Sequence, residues 1–266
     1  MQNQRTTGTE QYYTPIKTAS HCVQVLDTYA SADTYLEPAG GTGAFLHALT
    51  GRNVISYDIE PKADNIQQVD SFLNVDLSHL SNVITISNPP FGRNHALSVP
   101  FFNHAASCSN YIAFIIPKSW RKWSVINRLN QHFHLIHDED LTVDFHYLDQ
   151  RKSSTGKLNT IFQIWQRKQE LRPLVTIVDH NFITKVKDPT QADLALTIFG
   201  RGCGLVRSEF ESESKTTQMY LQVNQPWVYD VLPQLDYSRY SKNVAFVEAL
   251  SLMEINQLLN EQAPMP

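Results

Sequence analysis

Val83-Ile84-Thr85-Ile86-Ser87-Asn88-Pro89-Pro90-Phe91 is an apolar, β-branched run that ends in an amide, two prolines and an aromatic ring. The run predicts a buried strand. The prolines must stop it, because neither can donate to a sheet ladder and each fixes φ at about −65°. A stiff corner leaves the strand, carrying one amide side chain, main-chain carbonyls and a flat ring. Such a corner suits a planar NH₂ group. The Asn88 side-chain carbonyl and the Pro89 main-chain carbonyl would each accept a hydrogen bond from the amine. Phe91 would stack on the ring that bears it, a contact of about 1–3 kcal/mol per base in nucleic-acid binders. Asn-Pro and Pro-Pro are also ordinary turn punctuation, so the chain around them decides.

Upstream, Thr34-Tyr35-Leu36 predicts a short strand running into Glu37-Pro38-Ala39-Gly40-Gly41-Thr42-Gly43-Ala44-Phe45-Leu46. Strand, glycine loop and helix form the context of a nucleotide-binding loop, in which glycines let the backbone turn tightly and approach a ligand. Asn53 to Tyr57 predicts a second strand ending in Asp58. An acid about 20 residues beyond the first strand is placed to accept from ribose hydroxyls. The alternative is an Asp capping a helix that starts at Pro61. Val69-Asp70-Ser71-Phe72-Leu73 reads as a third strand end. There Asp70 would accept from an adenine amine while Phe72 or Ile59 packs on its ring, or the segment is an ordinary loop. Earlier still, Gln11-Tyr12-Tyr13-Thr14-Pro15 precedes a helical pattern with Ala19, Val23, Leu26 and Ala30 on one face. Thr14 and Pro15 read as N-cap and first helical residue, or as a hydroxyl and amides that receive a carboxylate.

Downstream, a helix is expected from about Asn94 to Cys108, then a buried strand from Tyr111 to Ile116 ending at Pro117. Lys118-Ser119-Trp120-Arg121-Lys122-Trp123 opens the next helix with basic and aromatic residues interleaved. It would hold a phosphate backbone and stack a base, or form a solvated face with two half-buried tryptophans. Phe133 to His137 predicts a strand followed by acidic Asp138-Glu139-Asp140. Arg151 to Lys157 reads as a turn-rich loop, and Thr160 to Trp165 as a returning strand. The order describes an α/β fold: a Rossmann-like doubly wound sheet with an antiparallel edge. From about Leu174 the pattern shifts to short β-like runs at Val175–Val178, Leu194–Phe199 and Met219–Val223, a small α+β region. Gly200-Arg201-Gly202-Cys203-Gly204 has no acidic strand end at the right interval and reads as a bend or hairpin, with Arg201 and Arg207 able to face a polyanion. Ser251 to Glu254 is a capping box, with Leu250 and Ile255 as a hydrophobic staple on an amphipathic last helix.

A 266-residue chain with 42% hydrophobic and 18% charged residues is folded and globular, and long enough for one large α/β domain with an appendage. No apolar run approaches the roughly 18 residues of a membrane span, and Met1 to Glu10 carries no apolar signal core, so an intracellular protein without membrane contact is expected. Three widely spaced cysteines, Cys22, Cys108 and Cys203, provide neither a disulfide framework nor a zinc pattern. A net charge of −4 leaves any nucleic-acid contact to local basic patches.

Taken in order, these motifs resemble the class I S-adenosylmethionine-dependent methyltransferases. More narrowly they resemble the amino-methyltransferases of adenine N6, in the motif order of the γ group, over roughly residues 11–168. The resemblance implies S-adenosylmethionine as cofactor, held by Tyr13, Thr14, Glu37, Pro38, Gly41, Gly43, Phe45, Asp58, Ile59, Asp70 and Phe72. Asn88, Pro89, Pro90 and Phe91 become the catalytic tetrapeptide, and Lys118, Trp120, Arg121, Lys122 and Arg201 the candidate substrate contacts. Residues 1–10 are then a flexible tail, 11–170 the catalytic domain, and 171–266 a small substrate-recognition or interaction region. Two departures stand out: Gly40-Gly41 replaces a common Cys-Gly, and Ser71 is inserted between Asp70 and Phe72. The implied chemistry needs no histidine and no metal. DNA is the favoured partner, with a target base flipped into the pocket. RNA methylation at adenine N6 or guanine N2, methylation of a protein glutamine amide, and a catalytically silent scaffold subunit are the alternatives. The C-terminal region is small for reading a long site alone, since specific interfaces bury about 1,000 Å² or more. A short or relaxed target, or a partner subunit, is therefore expected.

Overall fold

The computed structural model describes residues 12–145 and 158–264. The expected tail 1–10, Gln11 and the expected loop Arg151–Lys157 lie outside the described residues. The chain divides into two compact units, 1–174 and 175–266.

The first unit is built on seven strands: β1 (Tyr35–Glu37), β2 (Val54–Asp58), β3 (Gln67–Gln68), β4 (Val83–Ser87), β5 (Ser109–Pro117), β6 (Phe133–Leu141) and β7 (Thr160–Arg167). Their order across the sheet is β3-β2-β1-β4-β5-β7-β6. β1 to β5 pair in parallel, while β7 runs antiparallel to both β5 and β6. This is the doubly wound sheet with an antiparallel edge.

The quoted run forms β4, and all five of its residues are buried. A central parallel strand is covered on both faces, so it reads as continuous apolar sequence. β5 shows how the covering divides. Ile112, Phe114 and Ile116 join one core with Phe101 and Phe102, while Ala113 and Ile115 join another with Ala19, Val23 and Leu26. Successive side chains of a strand point to opposite faces, which places α1 (Ile16–Asp27) and α3 (Ser98–Ala105) on opposite sides of the sheet. Each fully buried Phe or Ile here contributes about 1.5–3 kcal/mol. α2 (Ala44–Ala48) follows the glycine loop, and α4 (Trp123–Ile126) follows β5. β1 leads outward to β2 while β4 leads the other way to β5. Their C-terminal ends therefore flank the crevice that opens where strand order reverses.

Several local expectations are corrected. Pro15, not Thr14, is the N-cap of α1, extended at φ −63° and ψ 142°. Thr14 is buried, and its hydroxyl is taken by a residue distant in sequence rather than by the helix end. No helix begins at Pro61. The third strand ends at Gln68, because β3 pairs only with the last residues of β2. Phe72–Asn74 is a 3₁₀ turn capped by Ser71, which accepts from Leu73 N at 3.2 Å. The helix expected from Asn94 starts at Ser98, since Asn94 and His95 take positive φ. Lys118–Arg121 is a 3₁₀ turn rather than the start of a long helix. Asp138 to Asp140 continue β6 instead of ending it, because Lys118, Arg121 and Gln163 neutralise or bond them there.

The second unit carries β8 (Ile183–Val186), β9 (Leu194–Thr197), β10 (Val206–Arg207) and β11 (Gln218–Val223), antiparallel in the order β10-β9-β11-β8. β8 was not legible beforehand, and Val175–Val178 forms no strand. α5 (Trp227–Val231), α6 (Ser238–Ser241) and α7 (Leu252–Gln262) complete it. The glycine-rich turn joins β9 to β10 as a hairpin connection; Gly204, at φ +94°, has Tyr237 2.8 Å from where a Cβ would stand. α7 has its capping box, with Ser251 and Glu254 bonded reciprocally, and Leu250 and Ile255 lie in one buried cluster. Ser251→Ala is expected to lower stability by about 1 kcal/mol, read as a shift in the urea midpoint. An unchanged midpoint would deny the cap any energetic weight.

Candidate active site

A cleft of about 460 Å³ opens at the reversal point. It is bounded by the corner after β4, by the glycine loop after β1 and by the end of β2. On the β4 side, Asn88 is held by its amide nitrogen. Nδ2 donates to Tyr12 O at 2.9 Å and to Thr14 Oγ1 at 3.1 Å. Oδ1 is buried without a partner among the described residues. A buried acceptor left unpaired costs on the order of 1–3 kcal/mol. Phe91 is buried, with the Tyr12 ring stacked on it at a centroid distance of 6.1 Å and a 21° interplanar angle. Tyr12 also tilts against Phe145 at 5.6 Å.

The opposite wall is the glycine loop. Gly41 sits at φ +50°, and a Cβ there would stand 3.2 Å from two atoms of the Tyr13 ring. Gly40 has no room at all, since Ser56 Oγ would be 2.4 Å from its Cβ. The departure from Cys-Gly is therefore matched by Ser56 beneath it. Asp58 ties the loop to the next one: Oδ2 accepts from Gly41 N at 2.7 Å and Oδ1 from Glu60 N at 2.8 Å. Each oxygen retains a second lone pair. Burial first, then the charges of Asp58 and Glu60, push the Tyr13 hydroxyl up to about 12, so it stays a donor at physiological pH.

Glu37 lies fully buried under the loop. Its Oε1 accepts from Ser87 Oγ and from Ala39 N at 3.1 Å, while Oε2 has no partner among the described residues. Burial pushes its carboxyl up to about 8, partly offset by those two donors, with the Asp58 charge adding to the rise.

The cleft gathers Tyr13, Pro38, Gly41, Asp58, Ile59, Asp70, Phe72, Asn88, Pro89, Pro90 and Phe91. Four expected cofactor residues do not line it. Thr14 and Glu37 are buried off the lining, Gly43 is the left-handed N-cap of α2, and Phe45 is buried in the core beside α1. Sequence reading missed Gln68, Leu97 and Phe101 as walls. Leu97 and Phe101 are apolar residues four apart, which look like ordinary core spacing.

The expected substrate segment is corrected. Trp120 is fully buried and donates Nε1 to Ser98 Oγ at 3.2 Å, so it stacks on no base. Lys118 pairs with Asp140 at 2.6 Å, and Arg121 pairs with Asp138 and Asp140. Those charges are answered inside the unit. Lys122 is half-buried, and Arg201 is exposed in the glycine turn of the second unit. Among the described residues, no group of His, Cys, Asp or Glu could hold a metal ion, and no helix is long and apolar enough to cross a membrane.

Neither protein-family models nor curated proteins show a match to this chain. Solved structures do resemble it. A Pyrococcus horikoshii protein assigned as an RNA methyltransferase is 17% identical, with a TM-score of 0.48 over 62% of this chain and 90% of its own. A modification subunit assigned to a type I restriction enzyme of Vibrio vulnificus is 15% identical, with a TM-score of 0.41 over 59% of this chain. This chain spans 44% of that subunit's length. A Listeria monocytogenes protein assigned as a class I S-adenosylmethionine-dependent methyltransferase is 14% identical, with a TM-score of 0.41 over 61% of this chain and 64% of its own.

Proposed function

We propose that the first unit transfers a methyl group from S-adenosylmethionine to the exocyclic N6 amine of adenine in nucleic acid, with DNA as the first substrate to test. The observation that carries this reading is the Asn88 amide. Its nitrogen is spent on Tyr12 and Thr14, and its oxygen is left buried, without a partner among the described residues and close in sequence to the Phe91 ring.

The residues present fit the cofactor. Oε2 of Glu37, a buried carboxyl oxygen with no partner among the described residues, lies off the lining of the cleft and would pair with an ammonium group once ionised. Gly41 leaves a cradle that a Cβ would crowd, and Asp58 keeps lone pairs for ribose hydroxyls. The cleft volume falls in the range of small-molecule sites, about 300–1,000 Å³. When bound, the cofactor supplies an electrophilic methyl group on a sulfonium.

The chain's own part is positioning and polarisation. An adenine amine is a poor nucleophile, because its lone pair is delocalised into the ring. Asn88 Oδ1 and the Pro89 carbonyl accept its two hydrogens and draw the nitrogen toward pyramidal geometry, which localises that pair. Phe91 holds the ring plane. Geometry and aligned dipoles, rather than a general base, supply the rate, and the surplus proton leaves after transfer, when the nitrogen is cationic and strongly acidic.

Incubation with labelled S-adenosylmethionine and duplex DNA, single-stranded DNA or RNA tests the reading. Label at adenine N6 of DNA is expected. Label only in RNA, at adenine N6 or guanine N2, would move the substrate to the second reading. Donor binding with no labelling, restored by a partner protein, would make the chain a scaffold subunit. Asp58→Ala is expected to weaken donor binding about tenfold or more, given the 1.5–3 kcal/mol of hydrogen bonds to a charged group. Unchanged affinity by calorimetry would count against its ribose role.

A further inference from the structure

The backbone just beyond Phe91 is wound against its preference. Gly92, Asn94 and His95 all take positive φ, at 67°, 53° and 62°. Glycine adopts such angles freely; Asn and His take them more readily than most residues but still at a cost, so two in succession call for support from outside the turn. The turn also closes on the site: Leu97 N and Ser98 N both donate to Phe91 O at 3.3 Å. Phe91 and Leu97, two walls of the cleft, thus stand at the ends of one strained turn.

What holds the turn comes from elsewhere in the chain. Arg128, just beyond α4, donates Nη1 to Asn94 O at 2.9 Å and Nη2 to His95 O at 3.5 Å. These are the carbonyls of the two left-handed non-glycine residues. The His95 ring lies edge-on to Trp120 at 6.4 Å, with Nε2 2.9 Å from Ser119 Oγ. Burial, then the Arg128 charge, push His95 down to about 4, so the guanidinium faces a neutral ring at physiological pH. Asn103 of α3 fixes the arginine's own backbone, donating Nδ2 to Arg128 O at 2.9 Å. A planar fork spans two successive carbonyls in a way a single ammonium does not.

We infer that Arg128 is a positioning residue, holding the Gly92–Leu97 turn so that Phe91 and Leu97 stand where the acceptor ring is received. It does not line the cleft, and so acts through the turn rather than on either reactant. This rests on the reading of the cleft as a methyl-transfer site.

The test uses the full chain, S-adenosylmethionine and a mixed-sequence duplex DNA with its single strands. Donor Kd, acceptor kcat/KM and deuterium exchange at the Leu97 and Ser98 amides are measured together. Arg128→Ala should lower acceptor kcat/KM about tenfold or more, since small misplacement near the reacting centre costs up to about 10²-fold. Donor Kd should stay within about twofold, as expected when only the acceptor step is touched. The two amides should exchange faster, and Arg128→Lys should fall between. Adding Asn94→Gly to Arg128→Ala should recover part of the loss, because glycine needs no clamp. A donor Kd that shifts as much as the acceptor parameters, or no recovery with glycine, makes the arginine a general packing residue and overturns the inference. If the wild-type chain binds donor but labels no nucleic acid, the proposed activity fails. Unchanged amide protection in Arg128→Ala then independently overturns the clamp, and lost protection supports it.

Discussion

Asn88→Ala is expected to lower methyl transfer about 10³-fold or more while leaving donor affinity within a few-fold. Removal of one preorganised donor or acceptor at a reacting centre costs about 10²–10³ in kcat. Here the loss is compounded, because Asn88 also bonds the segment that precedes α1. Its Nδ2 reaches Tyr12 O and Thr14 Oγ1, residues more than 70 positions away in sequence. Those bonds decide which way the amide faces, and they leave the oxygen without a partner among the described residues. Asn88→Asp separates the two roles. It keeps an acceptor but loses the donor to Tyr12 and Thr14, and it places a charge among buried groups. It should therefore retain less than a tenth of the activity, and Thr14→Val should impair transfer more mildly. Full activity in Asn88→Ala, measured by single turnover with labelled donor, would end the amine-polarising account. Loss of donor binding in step with transfer would instead make Asn88 part of the donor site.

What the sequence made legible follows from range. β4 could be read because five consecutive buried residues and two prolines are local facts, and β2 because its apolar run ends in Asp58. The glycine loop was legible since Gly41 needs both a positive φ and the absence of a Cβ against Tyr13. Three of the misreadings depend on partners far away. Thr14 looked like a cap until Asn88, 74 positions on, took its hydroxyl. Trp120 looked like a stacking platform, but its neighbours in the core are Phe102 and Phe114 from a helix and a strand earlier in the chain. Asp138 to Asp140 looked like a strand terminator, yet Arg121 and Lys118 keep them in β6. The strained Asn94–His95 turn leans on partners 24 to 34 positions away, Ser119 and the Arg128 fork, which its own sequence does not announce.

The second large effect concerns Glu37 and pH. Its carboxyl is fully buried, and burial raises it from 4.5 to about 8 in the folded chain. At pH below 4.5 the group is protonated both folded and unfolded, so its full contribution to stability is present. Between 4.5 and about 8 the unfolded chain ionises while the folded chain keeps its proton, and stability falls. At about 1.4 kcal/mol per pH unit, the ligand-free protein loses on the order of 3–5 kcal/mol across that window. Glu37→Gln keeps an acceptor for Ser87 and Ala39 but cannot ionise. Its urea midpoint should therefore exceed wild type at pH 8 and lie at or below it at pH 5, where the extra amide hydrogens find no partner. The same reasoning reaches the donor. If the donor's ammonium reaches Oε2 as proposed, it will favour the ionised carboxylate, Glu37 will release its proton on binding, and donor affinity will rise with pH through the same window. Calorimetry in buffers of different ionisation enthalpy reads that release directly. A wild-type stability profile flat from pH 5 to 8, or one that Glu37→Gln leaves unaltered, would show that the buried acid does not set the pH dependence of stability, and calorimetry showing no proton release on donor binding would remove Glu37 from the donor's site.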